Sequence, residues 1–230
     1  MGLTLVVGFL SELSEIDPEG LQARQDELAQ LNTFLAQAGL PRHEEPPDCP
    51  VWSCDMLGYY GLHALRRVAA HLFFRGQVPP DVEHVGFDED PLEKRYYEDH
   101  FGKPGLVRRL LGRKPRRSDR FEHLMVHGDA EGYYLPADFA RVLFPADSLG
   151  IAGGCVGSVP RLQMECRELA GEIGIPDGLN LDSTDLEAAI ESAGEAANGW
   201  RAHAISTYSC LALLEACDAS LRTGAAIVFA

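Results

Sequence analysis

Four polar side chains near the middle of the chain have the types and spacing of metal ligands. They are His123, His127, Asp129 and Glu131. In a strand all four would point to one face, because side chains alternate between faces. Imidazole and carboxylate groups hold zinc and other divalent ions. The pattern indicates a divalent metal site. The alternative is a hairpin with polar residues at its tip, because Gly128 and Gly132 interrupt the alternation and are typical of a turn.

A cysteine nucleophile is the second chemistry that the residue types allow. Cys155 follows two glycines, and Cys54 lies between Ser53 and Asp55. Cysteine catalysis needs a thiolate stabilised by a cation or a helix N-terminus, and a base such as His127. The alternative is a buried free thiol, since cysteine packs as a small hydrophobic residue. We take Cys155 and His127 as the candidate catalytic residues of a hydrolase.

The segment 150–158 is rich in glycine and precedes a predicted helix. Backbone N–H groups in such a segment can bind an anion at a helix N-terminus. The segment lacks the lysine of a phosphate-binding loop and does not follow the dinucleotide-binding pattern. Ser158 and Pro160 are typical of a helix start. The segment is therefore either an anion site or a flexible connection with a cap, and we predict no organic cofactor.

The elements that must position these residues are helices between short apolar segments. Apolar and β-branched composition predicts strands at residues 3–10, 121–126, 133–135 and 225–229. Helical spacing of apolar residues predicts helices near 17–39, 57–74, 91–100, 136–144, 162–173, 183–198 and 200–221. We therefore predict an α+β fold, in which N-terminal, central and C-terminal strands form a small mixed sheet packed with several helices.

Length and composition indicate one globular domain. The chain has 230 residues, of which 46% are hydrophobic and 24% are charged, as in ordinary folded proteins. Between residues 77 and 120, prolines, glycines and runs of charge replace the apolar periodicity. We predict a single domain, 1–230, with an exposed insertion at about 77–120.

Charge is distributed unevenly along the chain. The net charge is −15, yet residues 103–120 carry +7, so the rest of the chain carries −22. An acidic body attracts basic proteins and repels nucleic acid, whose binding needs Lys and Arg at the phosphates. We expect a basic protein partner at Asp88, Glu89 and Asp90, and no nucleic acid on the acidic body. The basic segment 103–120 is a solvated loop, a lipid contact or a phosphate contact.

The expected location is the cytoplasm. No apolar segment approaches the roughly 20 residues that span a bilayer. The apolar start lacks the basic region and the small-residue cleavage site of a signal peptide. The six cysteines form no C-x-x-C pair, which favours free thiols in a reducing compartment.

Four segments resemble a family of small, acidic, uncharacterised bacterial proteins. They are MGLTLVVG at 1–8, VWSCDM at 51–56, GDAEGYYLP at 128–136 and GAAIVF at 224–229. The resemblance covers most of the chain apart from about 77–120, and implies a bacterial cytoplasmic protein without implying an activity. Acidic proteins of this general type include immunity proteins that neutralise toxin domains.

Two functions follow as hypotheses. The first is a non-enzymatic protein-binding module, an immunity-type inhibitor of a basic toxin, because the acidic body complements a basic partner. The alternative is a hydrolase with a metal or cysteine centre near His123, His127, Asp129 and Cys155.

Overall fold

A computed structural model describes residues 3–80, 90–102, 119–192 and 198–229, which form strands and helices. The strands are Thr4–Val7 (β1), Trp52–Asp55 (β2), Tyr133–Leu135 (β3), Val156–Ser158 (β4) and Ile227–Phe229 (β5). The α-helices are Phe9–Ile16 (α1), Pro18–Gln37 (α2), Gly58–Arg75 (α3), Pro91–Phe101 (α4), Glu122–Met125 (α5), Val159–Ile173 (α6), Thr184–Glu191 (α7) and Ala204–Thr223 (α8). Short 3-10 helices occur at Asp147–Leu149, Ala152–Gly154 and Gly199–His203.

The strands form one mixed sheet in the order β2-β1-β5-β3-β4. Strand β1 pairs antiparallel with both β2 and β5, and β5 pairs antiparallel with β3. Strands β3 and β4 are parallel. The C-terminal strand thus lies between the N-terminal and central strands, which confirms the predicted α+β fold with a mixed sheet.

The two faces of the sheet contribute to two hydrophobic cores. In β1, Leu5 and Val7 enter one core and Val6 enters the other, as strand alternation requires. The larger core includes buried residues of α3, α6 and α8. The smaller core includes Phe9 of α1 and Leu31 of α2. Helices therefore cover both faces of the sheet.

Residues 121–126, predicted as a strand, instead contain the one-turn helix α5. The buried carboxylate of Glu165 on α6 accepts the backbone N–H groups of His123 (3.1 Å) and Leu124 (2.8 Å). These bonds satisfy two donors that the first turn of a helix leaves without an intrahelical partner. Burial raises the pKa of Glu165 to about 8. The strand prediction was wrong because this helix-capping group lies about 42 residues away in sequence.

Other local predictions also differ from the structure. Residues 136–144, predicted as a helix, contain no regular helix. Residues 9–16 form α1. The sequence pattern placed residues 9 and 10 in the first strand and predicted no element for the residues after them. Strands β2 and β4 were not predicted, since each has only three or four residues and lacks a run of apolar side chains.

Part of the predicted insertion at 77–120 packs on the core. Helix α4 contacts α3, and Tyr96 is buried with its hydroxyl donating to the carbonyl of Arg120 at 2.9 Å. Residues 81–89 and 103–118 lie outside the described residues. The exposure of the insertion and the role of the basic segment 103–120 therefore stay predictions.

No helix among the described residues is both long enough and apolar enough to cross a membrane. The six cysteines are free thiols, and four of them are buried. The cytoplasmic location stays a prediction.

Candidate functional site

The predicted metal ligands do not converge on one point. Nδ1 of His123 accepts the backbone N–H of Ser158 at 3.0 Å, and Nε2 of His127 lies 3.1 Å from the carbonyl of Tyr133. Burial lowers the pKa of both histidines to about 4, so both rings are neutral at pH 7. In the part of the chain that the structure describes, no group of three or more His, Cys, Asp or Glu side chains could hold a metal ion. The spacing that suggested a metal depends on a strand that does not form.

Cys155, the candidate nucleophile, is a buried thiol held by the backbone. Its Sγ accepts the N–H of Gly128 at 3.2 Å. Burial raises the pKa of this thiol, which keeps it protonated at neutral pH. The ring nitrogens of His127 face the carbonyls of Gly128 and Tyr133. Cys155 and His127 are therefore not arranged as a nucleophile and its base.

The glycine-rich segment 150–158 binds anions that belong to the protein itself. The N–H of Ala152 donates to Glu27 at 2.7 Å, and the N–H of Gly153 donates to Glu131 at 3.1 Å. Glu131, one of the predicted metal ligands, thus helps to hold this loop in place. Ser158 caps α6, as its position in the sequence predicts. Two backbone donors of the candidate anion site are occupied by internal carboxylates.

Asp129 belongs to a polar network that the sequence pattern did not predict. Its carboxylate pairs with Arg66 and lies 3.3 Å from Nε2 of His63. Nδ1 of His63 lies 3.2 Å from the carboxylate of Glu93 on α4. Although burial opposes the shift, His63 and Arg66 lower the pKa of Asp129. The network joins α3, α4 and the loop after α5.

His63 is expected to stay protonated up to about pH 9. Hydrogen bonds to Asp129 and Glu93 raise its pKa from 6.5 to about 9. Because the pKa is higher in the folded state, the stabilisation is complete below pH 6.5 and is lost as the pH rises through 9. An NMR titration of the His63 Cε1–H resonance measures this pKa, and Asp129→Asn should shift the midpoint towards 6.5. A wild-type midpoint below about 7.5 would contradict the network.

Asp90 is the one residue of the predicted contact patch 88–90 that the structure describes. Asp90 is buried and caps α4 by accepting backbone N–H groups at the start of that helix. Its Oδ2 lies 2.8 Å from Nε2 of His71 and 3.0 Å from Nε of Arg67. Asp88 and Glu89 lie outside the described residues. Asp90 therefore stabilises the packing of α4 on α3, and its carboxylate is not free for a partner.

An acidic surface lies instead on α6, α7 and the loop between them. Between Arg167 and Arg201 the sequence has eight acidic residues and no Lys or Arg. Seven of the eight lie among the described residues and all seven are exposed: Glu168, Glu172, Asp177, Asp182, Asp185, Glu187 and Glu191. We call these seven residues the acidic face. The sequence signal for the acidic face is the run without Lys or Arg. The sites predicted from motif spacing lie in other segments.

Helix α8 and strand β2 extend the acidic face. Burial and the nearby charges of Asp182 and Asp218 raise the pKa of Glu215 on α8. Burial, together with the charges of Glu215, Asp55 and Asp182, also raises the pKa of the Cys54 thiol. A carboxylate raises the pKa of a neighbouring acid because the two negative charges repel each other. The negative charge therefore continues from the loop before α7 across α8 to the end of β2.

Among the described residues, two arginines form ion pairs with the acidic face. Arg201 lies 3.7 Å from Asp185, and Arg120 lies 2.6 Å from Glu168, with both partners exposed in each pair. Exposed ion pairs contribute little to stability, and these two compensate only two of the seven carboxylates. The other five carboxylates of the acidic face form no ion pair with another described residue.

Buried apolar residues hold the acidic face in position. Leu169 and Ile173 of α6 and Leu186 and Ala189 of α7 are buried in the larger core. Both helices also contact α8. The carboxylates are therefore displayed on backbone that is anchored from the opposite side of each helix.

A comparison with known protein families bears directly on this acidic surface. Residues 1–229 match the profile of a family described as "Putative DNA-mimic protein". The chain belongs to this DNA-mimic family. Comparison with curated proteins and with solved structures found no match. The match is to the DNA-mimic family, and the likeness to immunity proteins stays a prediction.

Membership of the DNA-mimic family corrects the prediction about partners. That prediction set nucleic acid aside because acidic surfaces repel phosphates, and it is wrong on this point. Duplex DNA carries about one negative charge per 1.7 Å of its axis, and the acidic face carries charge of the same sign. Nucleic acid is therefore relevant to this chain as the molecule that its family is described as mimicking.

Proposed function

We propose that this chain is a non-enzymatic protein that occupies the DNA-binding surface of a DNA-binding protein. The observation that carries the proposal is the acidic face of a chain in the DNA-mimic family. DNA-binding proteins direct Lys and Arg side chains at phosphates. Carboxylates accept charge-assisted hydrogen bonds from the same donors. The acidic face can therefore take the place of a DNA backbone on such a surface.

The spacing of the acids on the two helices supports this role. Glu168 and Glu172 on α6 are four residues apart, and so are Glu187 and Glu191 on α7. Each pair lies on one side of its helix with a rise of about 6 Å. Like charges at this spacing destabilise a helix. Because Arg120 compensates Glu168, the repulsion in the free protein is greatest between Glu187 and Glu191. Cations of a bound partner would relieve this repulsion, which makes it a source of binding energy.

The hydrolase hypothesis has weaker support in the described residues. The ring of His127 stacks on Tyr134 with centroids 3.8 Å apart, and Cys155 accepts a backbone N–H. Both candidate catalytic groups are thus used in packing the loop after α5. Stoichiometric zinc, manganese or iron in protein purified without a metal-affinity tag would favour the hydrolase.

We further propose that binding inhibits the target, as an immunity-type protein would. A DNA-cleaving toxin must hold DNA phosphates with cations, and a protein that covers those cations blocks cleavage. Association should be fast at low salt and should weaken as salt is added, because complementary charges steer the encounter.

Displacement by DNA tests the proposal. The immobilised protein is expected to retain DNA-binding proteins from a nuclease-treated extract of its source cells. A double-stranded oligonucleotide should then release them, because DNA and the acidic face compete for one surface. Once identified and purified, the retained protein should lose its mobility shift on duplex DNA when the wild-type chain is added.

Elution with an uncharged polymer and with salt alone provides the controls. Retained proteins that salt releases but duplex DNA does not would bind the chain away from their DNA-binding surface. A ternary complex of target, DNA and this chain in the mobility-shift experiment would also contradict mimicry.

A further inference from the structure

Strand β2 forms one edge of the sheet, and its outer side is open. It pairs with β1 alone, with Ser53 opposite Val6. The N–H of Met56, just after β2, donates to the carbonyl of Leu3 at 2.8 Å. Hydrogen-bonded and non-hydrogen-bonded pairs alternate in an antiparallel ladder. The backbone groups of Ser53 and Asp55 therefore point away from β1, and both residues are exposed.

The outward backbone groups of β2 are available for pairing. No hydrogen bond joins the N–H groups of Ser53 and Asp55, or the carbonyl of Ser53, to another described residue. The carbonyl of Asp55 has a 3.4 Å contact with the Cys54 thiol. At the opposite edge, Leu143 and Val156 exchange two backbone hydrogen bonds of 2.9 Å on the outer side of β4. The fold thus pairs one edge of the sheet at Val156 and leaves backbone donors unpaired at the other.

The surroundings of this open edge are acidic. The thiol of Cys54 faces α8, where it lies 3.4 Å from the hydroxyl of Tyr208. Burial raises the pKa of this thiol, and three negative charges raise it further. They are the charges of Glu215 on α8, Asp55 on β2 and Asp182 before α7. No described cation forms an ion pair with any of the three. Since side chains alternate along a strand, Asp55 lies on the face opposite to Cys54.

Charge determines which kind of strand fits this edge. A second copy of the chain would bring another net charge of −15 against it, and like charges oppose association. Lys or Arg side chains on an incoming strand would instead meet acids on both faces of the sheet. Opposite charges on neighbouring strands stabilise their pairing.

We propose that the β2 edge binds an extended, basic segment of a protein partner as a sixth, antiparallel strand. Main-chain hydrogen bonds to Ser53 and Asp55 supply affinity, and alternate side chains supply specificity. Basic side chains opposite Cys54 point to the face of α8, where Asp182 and Glu215 lie. Recognition of a peptide backbone is separate from DNA mimicry, although Asp182 also belongs to the acidic face.

An octapeptide of alternating lysine and threonine, capped at both termini, is the probe. When its lysines point to the face of α8, its threonine N–H groups point to β2. Calorimetry should give saturable, one-to-one binding of this peptide and of a form N-methylated at the lysines. N-methylation at the threonines should weaken binding at least about tenfold, because it removes the pairing donors without changing the charge. Amide hydrogen exchange of Ser53 and Asp55 should slow in the complex, whereas Trp52 and Cys54 are already bonded to β1 and should change little.

Ser53→Pro is the matched change in the protein. Proline removes the outward N–H of Ser53 without removing a ladder bond to β1, and edge strands accept proline at such positions. It is expected to weaken peptide binding about tenfold, whereas Ser53→Thr keeps the N–H and should stay within about twofold of the wild type. Thermal unfolding of both variants checks the fold. The N-methylated peptides test the proposal on the wild-type chain even if Ser53→Pro unfolds.

Three outcomes would overturn the proposal. The first is the lack of saturable binding of the unmodified peptide to the wild-type chain at about 1 mM. The second is equal affinity for the two N-methylated peptides, since charge alone would then hold the peptide. The third is a dimer in analytical ultracentrifugation that Ser53→Pro dissociates, since a second copy would then occupy the edge. These measurements use neither DNA nor a DNA-binding protein, so their failure is distinguishable from a failure of DNA mimicry.

Discussion

Neutralising Glu172, Asp182, Glu187 and Glu191 is expected to weaken binding to the DNA-binding target about 100-fold. These four residues are exposed and form no ion pair with another described residue, so Glu→Gln and Asp→Asn changes remove charge without removing a contact. Each carboxylate that meets a partner's cation contributes up to about 1 kcal/mol, and four together account for the loss. The loss should fall mainly on the association rate and should shrink as salt is added. Stopped-flow measurements over a series of salt concentrations determine both quantities.

A second quadruple variant provides the control. Glu19, Asp48, Glu98 and Asp147 are exposed carboxylates outside the acidic face. Changing them to Gln or Asn alters the net charge by the same amount. If binding depends on the acidic face, the control variant should keep its affinity within about threefold of the wild type. Equal losses in the two variants would show that overall charge, and not this surface, determines binding.

Arg66→Met is expected to lower the free energy of unfolding by about 3–5 kcal/mol. Arg66 is 1% exposed and donates to the carbonyls of Leu124 (2.8 Å) and His127 (2.7 Å). It also pairs with Asp129. Methionine replaces the aliphatic stem of Arg66 but has no donor, so the two buried carbonyls lose their hydrogen-bond partner and Asp129 keeps only His63. Urea denaturation followed by circular dichroism measures the change.

Arg161→Met is the matched control for a charge that lies on the surface. Arg161 pairs with Asp138 at 2.6 Å, but both side chains are well exposed. Its loss should cost less than about 1 kcal/mol. A cost below about 1 kcal/mol for Arg66→Met as well would mean that the loop after α5 is held mainly by other contacts.

Helices with local signals were predictable from the sequence. Asp17 accepts the N–H of Gly20 at 3.0 Å, so α2 begins where the residue types predicted. Ser158 caps α6 in the same way, and Gly174 ends that helix. The interactions that define these ends lie within a few residues, and local sequence patterns therefore contain them.

Elements and contacts that depend on distant residues were not predictable in this way. Arg66 lies on a predicted helix, yet its three partners are 58 to 63 positions further along the chain. Helix α5 forms where a strand was predicted because Glu165 caps it. The same distance in sequence explains why Asp129 was interpreted as a metal ligand instead of a partner of Arg66.

The sequence by itself determined the α+β class, the acidic character of the chain and the run without Lys or Arg between residues 167 and 201. Charge and local periodicity are properties of composition and spacing, and they do not change with the packing. Only the tertiary structure decided which carboxylates face solvent. Asp90 and Glu165 are buried by residues from other elements, whereas the acidic face stays exposed because the opposite sides of α6 and α7 pack on the core.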